Sequence, residues 1–416
     1  MEKIEPNIGR IRRDIERLSE FTSPAEPGYT RISFSKEDRQ AREYVAGLMR
    51  DEARLSVRID AVGNLIGRRG GERENPAILI GSHIDTVRGG GMFDGVAGVI
   101  AGIEVVRGFE EREIRTAHPL EVIVFLAEEP SPFGISTVGS RAMAGKLPGE
   151  LLTSLKDAEG RTLGAAIHEM GGDPERIAEA KRSPHDALAY LELHIEQGPR
   201  LFSTGIPIGV VTGIVGISRG RIEVVGRNDH SGTTPMDVRR DALAAASEIV
   251  LALENTCVKL DGVVGTIGRI DVYPNSLNVI PGVVNLGMEV RSLSESASHR
   301  AISLFKGELE GIRDKRGIEI NFETQVSSKP VMFDSKMVGR INRACDSLNI
   351  AHLEMSSGAG HDANHIAEVT SAGMLFVPSK NGRSHCPEEF STFEHICLGT
   401  EVIARTITQI DTEEVT

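Results

Sequence analysis

The chain has no tryptophan, and aromatic residues make up only 4% of its 416 residues. Platforms for single-stranded nucleic acid stack bases on such rings, so composition argues against that class. Positive charge is also short: 47 Lys and Arg face 60 Asp and Glu, a net charge of −13. A nucleic-acid surface needs clustered cations, so no nucleic-acid partner is expected. No apolar run approaches the ~20 residues of a membrane helix. The stretch from Met1 to Phe21 is charged, with Ile11, Ile15 and Leu18 at helical spacing, and reads as an amphipathic helix without the apolar centre of a signal peptide. Cysteines are few. Cys257, Cys345, Cys386 and Cys397 show no C-x-x-C spacing and read as reduced thiols of a cytoplasmic protein.

A chain of this length predicts two domains, since a single core rarely grows past roughly 250–300 residues. The organising stretch runs from Gly81 to Gly95, GSHIDTVRGGGMFDG. The apolar run Ala77-Ile78-Leu79-Ile80 leads into it as a short buried strand. His83 and Asp85, two apart, then share a face at the strand's C-terminal end, where open α/β sheets bind ligands. His83 and Asp94 are candidate metal ligands. Asp85 is the candidate carboxylate to orient the His83 ring, as metal-bound imidazoles commonly require.

Three more apolar strands end in comparable groups. Leu120 to Leu126 runs into Glu128-Glu129, where one carboxylate could bind metal and the other stay free as a base. Leu188 to Leu193 runs into His194, with Glu196 placed to serve it as Asp85 would serve His83. Met374 to Val377 leads out to His385. Three histidines and two carboxylates suit two divalent ions with one carboxylate bridging. The mixed N/O donor set without thiolate fits Zn²⁺ or Mn²⁺. His361 and His365 are spaced i, i+4, but an aspartate follows the first histidine and the context is Gly-rich, which is wrong for a helical zinc pair.

Elsewhere, helices are expected from Ser35 as an N-cap, over Val96–Val106, Ser335–Leu348 and Glu394–Ile407, with a polar helical stretch over 146–187 covering the sheet. From Gly213 the order becomes β-α-β-β-α-β: strands over Arg221–Val225, Val263–Ile270, Val283–Val290 and Gly317–Thr324, helices over Asp241–Thr256 and Ser294–Gly311. The buried face of the first helix is read as Leu243, Ala246, Val250 and Leu253. That order is a ferredoxin-like unit, whose edge strands could pair with a second copy. The expected organisation is 1–212 and 330–416 as a catalytic domain, with 213–329 inserted as a lid and dimerisation domain.

Together, GSHIDTVRGGGMFDG, LAEEPSPFG, LELHIEQGP, DHSGTTPM, NSLNVIPG, MEVRS, SGAGHDA and VPSKNGRSHCPEE resemble the M20 metallopeptidase-like amidohydrolases, in the hydantoinase/carbamoylase branch. The resemblance implies an α/β fold: a mixed-sheet catalytic domain carrying an inserted ferredoxin-like α+β domain, assembled as a homodimer. It implies two divalent metal ions per subunit, one on His83, Asp94 and His194, the other on Asp94, Glu129 and His385. Glu128 is then the general base. His230 stabilises the oxyanion, donated by the other subunit. Arg291 takes the substrate carboxylate, with Gln197 and Asn278 as hydrogen-bond partners and Gly360 as a backbone contact. In the wider superfamily a carboxylate more often stands where His194 does, so His194 shifts the reading from peptide bonds to ureido C–N bonds. The implied activity is hydrolysis of an N-carbamoyl-L-amino acid. The alternatives are allantoate hydrolysis, then β-ureido acid or peptide hydrolysis, or an inactive binding protein.

Overall fold

A computed structural model describes residues 4–24 and 27–413. Of the expected N-terminal helix, Met1–Lys3 lie outside the described residues, and the helix itself runs Ile8–Ser19. The chain divides into two compact units, 1–212 with 333–416, and 213–332. Among the described residues no helix is long and apolar enough to cross a membrane.

The first unit is a mixed α/β structure. Its centre is four adjacent parallel strands in the order Leu120–Phe125, Ala77–His83, Ala187–Ile195, Ser371–Val377. Parallel strands covered on both faces read as continuous apolar runs, and all seven residues of Ala77–His83 are buried. Antiparallel strands flank them: Leu65–Arg69 and Ser56–Ile59 on one side, Ile208–Ile214 on the other. His352–Ser357 also pairs with Ile208–Ile214.

A helix must cross between parallel neighbours, and Val96–Glu111 does so between Ala77–His83 and Leu120–Phe125. It lies close to the sheet because it carries glycines where it touches. A Cβ at Gly98 would sit 2.2 Å from the Leu193 carbonyl oxygen. Helices Ile8–Ser19 and Phe393–Glu413 pack against it. Ser35 caps Lys36–Gly47 by accepting the Asp38 N–H. Residues 146–187 form short helices whose Leu152, Leu163 and Ile167 join Phe34, Val62, Leu126 and Phe133 in a second apolar cluster. Buried Arg31 donates to the carbonyls of Leu18, Phe21 and Ile84, which pins the segment that follows His83.

The second unit has strand order Glu319–Ser327, Gly216–Val225, Val283–Ser292, Val263–Tyr273, all antiparallel. Helices Ala242–Val258 and Glu295–Arg316 complete the β-α-β-β-α-β succession. Its core gathers Ile222, Val224, Ile249, Leu286, Val290 and Phe305. The first helix buries Ala242, Ala245, Ala246, Ile249 and Leu253, whereas Leu243 and Val250, expected inside, are only half-buried. The stripe is rotated because an alanine-rich face allows closer approach to the sheet than a leucine-rich one.

Candidate metal centre

The parallel order brings the four strand ends to one edge of the sheet. His83 and His194 are buried and their rings lie 5.8 Å apart. Asp94 reaches both from the loop before helix Val96–Glu111: its Oδ1 is 3.1 Å from His194 Nε2 and 4.0 Å from His83 Nε2. Its other oxygen, Oδ2, is 3.0 Å from His385 Nε2, which is also 3.3 Å from Glu129 Oε1. One carboxylate therefore joins two groups, His83–Asp94–His194 and Asp94–Glu129–His385, each close enough to hold a metal ion. Glu128 lies alongside, its Oε2 3.6 Å from His83 Nε2.

The backbone is shaped for this arrangement. Gly95 has φ +66°, and a Cβ there would lie 2.5 Å from the His83 ring. Ala127, Gln197 and His385 adopt left-handed backbones, φ 52°, 57° and 54°. For residues with a Cβ this costs roughly 1–2 kcal/mol each, and such strain gathers at functional sites.

Two ring orientations correct the sequence reading. His83 Nδ1 meets the backbone carbonyl of Asp85 at 3.0 Å, while the Asp85 carboxylate stands 3.7 Å away. That carboxylate instead accepts the backbone N–H groups of Glu128 and Glu129 at 3.3 and 3.1 Å. Asp85 thus orients His83 by its main chain and holds the turn carrying the two glutamates by its side chain. Likewise His194 Nδ1 meets the Ile195 carbonyl at 2.9 Å, and Glu196 caps the next helix through the N–H groups of Arg200 and Leu201. A carbonyl one or two residues along the chain reaches Nδ1 without side-chain ordering, so it wins over the carboxylate. With Nδ1 occupied, both rings present Nε2 toward Asp94.

The donors fit a divalent cation. His194 Nε2 is buried without a well-directed hydrogen bond, which is costly unless a partner is supplied. Burial lowers His83 and keeps it in the neutral, ligating form. Burial would also lower His194, but the Asp94 carboxylate outweighs it and raises the ring to about 9. Asp94 and Glu129 raise His385 to about 10. Burial alone would raise Asp94; the imidazoles around it hold it well below the usual carboxylate range. Glu128 goes the other way, pushed up by burial and by Glu129, Asp362, Asp85 and Asp94. A buried, destabilised carboxylate takes a proton readily, which is the property of a general base.

Residues 79–409 match the model of peptidase family M20/M25/M40. The chain belongs to this family. It is 40% identical to the N-carbamoyl-L-amino acid amidohydrolase of Geobacillus stearothermophilus, over 96% of this chain and 98% of that one. It is 34% identical to a ureidoglycolate hydrolase of Arabidopsis thaliana, over 96% and 86%. Among solved structures, a hydantoinase/carbamoylase-family amidase from Burkholderia multivorans superposes with TM-score 0.90 at 32% identity, covering 98% of each chain.

Within this M20 chain the remaining candidates divide between the two units. Gln197 joins it: its amide is 3.0 Å from Asp94 Oδ2 and 3.2 Å from His385 Nε2. Gly360 is exposed. His230, Asn278 and Arg291 belong to the second unit. His230 is exposed, its Nδ1 accepting the Gly232 N–H. It bridges Val279, next to Asn278, so these two lie close together within the unit. Arg291 Nε donates to Glu289 at 2.6 Å.

Sequence reading passed over Glu192, Tyr190 and Glu389. Glu192 accepts from Ser82, Tyr190 and the Ala363 N–H. A third group, Glu192, His194 and His361, could also hold an ion, but its carboxylate is already engaged. His361 bonds Ser357 and His365 bonds Thr137, so the i, i+4 pair forms no site. The available signal for Glu192 was an acid inside an apolar strand, two residues before His194.

Proposed function

We propose that the chain is a metal-dependent amidohydrolase that removes the carbamoyl group of an N-carbamoyl-L-amino acid. Water is consumed, and amino acid, CO₂ and ammonia are released. The observation that carries the chemistry is the sharing of Asp94 between two carboxylate–imidazole groups, one of them wholly buried, with a second, destabilised carboxylate beside them. These groups would hold two divalent ions, Zn²⁺ or Mn²⁺: His83, Asp94 and His194 one, and Asp94, Glu129 and His385 the other. When bound, they supply Lewis acidity toward a water and a carbonyl.

The chain's own residues do the rest. Glu128 accepts the proton of the attacking water and returns it to the leaving nitrogen. Asp85 holds the Glu128–Glu129 turn in place. His230, from the second copy of a homodimer formed through residues 213–332, donates to the oxyanion. Arg291 grips the substrate carboxylate by a planar fork, exchanging Glu289 for the ligand. Gln197, Asn278 and the Gly360 backbone complete the hydrogen bonds. The 40% identity to a carbamoyl amino acid hydrolase supports this substrate class. Four cysteines that form no disulfide suit a cytoplasmic protein.

A second reading is supported by the similarity to a ureidoglycolate hydrolase: a ureido acid of purine breakdown, allantoate among them. Both substrates carry a carboxylate and a ureido group. Ammonia release by Zn²⁺- and Mn²⁺-loaded protein, measured in parallel on N-carbamoyl-L-amino acids, allantoate and ureidoglycolate, separates them. Turnover of the carbamoyl amino acids is expected. Turnover confined to allantoate or ureidoglycolate replaces the first reading with the second. Silence on all of them with metal bound removes both.

A further inference from the structure

Glu389 lies on the loop that carries His385, with its side chain buried. One carboxylate oxygen, Oε1, accepts the backbone N–H groups of Phe93 and Asp94, each at 3.1 Å. The other, Oε2, accepts the Ser384 hydroxyl at 2.7 Å. A single side chain thus ties the residue that bears the shared carboxylate to the neighbour of His385, across nearly three hundred positions of sequence. The chain makes room for it: a Cβ at Gly91 would lie 2.1 Å from Glu389 Oε1. Phe93 packs edge-on against Phe390, ring centres 5.5 Å apart, so the two loops also meet through an apolar contact. Ser391 closes the His385 loop on itself by donating to the Pro378 carbonyl.

The same two segments face each other a second time through Asp94 Oδ2 and His385 Nε2. Glu389 joins them from the backbone side, as an ion would join them from the side-chain side. Ser384 is adjacent to a ligand whose own backbone is left-handed. The His385 ring therefore depends on outside support for its placement.

We infer that Glu389 is a positioning residue that sets the Asp94–His385 spacing and so selectively tunes affinity for the ion on Asp94, Glu129 and His385. The inference rests on the metal-site reading proposed above. His83 and His194 sit on strands and need no such clamp, so the other ion is affected less. Outer groups that orient metal ligands typically contribute about ten- to a hundredfold in affinity.

The test is metal content of the full-length protein after equilibrium against buffered free Zn²⁺, for wild type, His385→Ala, Glu389→Gln and Ser384→Ala. The melting midpoint of each metal-free protein is recorded alongside. Glutamine keeps the volume and one acceptor for the backbone N–H groups but turns an NH₂ toward Ser384. The expected result is two ions in wild type, and in Glu389→Gln one ion held normally with the second weakened at least tenfold. Ser384→Ala weakens the same ion by less. A Co²⁺ visible spectrum that changes only on filling the second site would report the same selectivity.

Wild-type affinity for both ions in folded Glu389→Gln overturns the inference. So does equal weakening of both, or a drop in metal-free melting without selective loss, which would mark a merely structural contact. If Glu389→Gln does not fold, Ser384→Ala decides alone, and wild-type affinity for the second ion there overturns it. The metal-site reading fails separately, if wild type binds fewer than two ions or if His385→Ala removes none.

Discussion

The end of the parallel sheet and the polar surface of residues 213–332 place their candidate groups on opposite terms. At the sheet end, His83, Asp94, Glu128, Glu129 and His194 are buried and touch one another, and each is fixed by a strand terminus or a backbone hydrogen bond. In the second unit His230 and Asn278 are exposed, and Arg291 spends its donor on Glu289 of its own strand. The contrast follows from what each must hold. Ionised and ligating groups can be buried only if partners or a cation offset their desolvation, so they are built as one preorganised cluster. Groups in the roles proposed for His230, Asn278 and Arg291 would have to exchange a local partner for the ligand, which suits positions near solvent.

The strongest way to break this contrast is at the base. Glu128→Gln keeps the volume and removes the proton acceptor. The expected outcome is kcat lower by about 10²–10⁴-fold, with metal content unchanged and KM little affected. Loss of metal together with activity would make Glu128 a ligand and merge two roles kept apart here.

Next in size is Arg291→Ala. Removing charge-assisted bonds to a substrate carboxylate is expected to raise KM by roughly 10–100-fold with kcat largely kept. An unchanged KM for carboxylate substrates would leave Arg291 as a surface partner of Glu289, and the second unit without its assigned cation.

The smallest expected effect is a pH dependence. In the metal-free site His194 titrates at about 9 and His385 at about 10, both above the ordinary value of about 6.5. Their contribution to folding is complete below about 6.5 and is lost as pH rises through about 9 and 10. Ion binding needs the neutral rings, so it runs the other way, displacing up to roughly two protons at neutral pH. Melting of the chelator-treated protein should fall between about pH 7 and 10, while metal affinity rises over the same range. Parallel slopes would mean these imidazoles are not ligands.

Much of the site was legible along the chain. Apolar runs ending in His83, Glu128-Glu129 and His194 mark strand ends, and the structure sets those strands parallel and adjacent. The strand Ile208–Ile214 and the strand His352–Ser357 were not legible. Glycines interrupt the first, and the second, HLEMSS, carries only weak alternation. On helix Ala242–Val258 the buried Ala246 and Leu253 were legible, but Leu243 and Val250 were placed too far inside, because the alanines that are buried carry little hydrophobic signal. The roles of Asp85 and Glu196 were misjudged for a different reason: spacing shows that a carboxylate is near a ring, not that a carbonyl is nearer.

By itself, the sequence determined the donor types and the strands that carry them, because apolar runs and strand-end polar residues are local features. It also carries the division into an α/β part and a β-α-β-β-α-β part, because strands change near Gly213 from continuous apolar runs, as in Ala77–His83, to alternating ones, as in Gly216–Val225. Folding alone settles which oxygen each ring nitrogen meets and that Glu389 ties the Asp94 and His385 loops together. Those choices depend on distances between segments far apart in the chain, where differences of an ångström between competing hydrogen-bond acceptors settle the outcome.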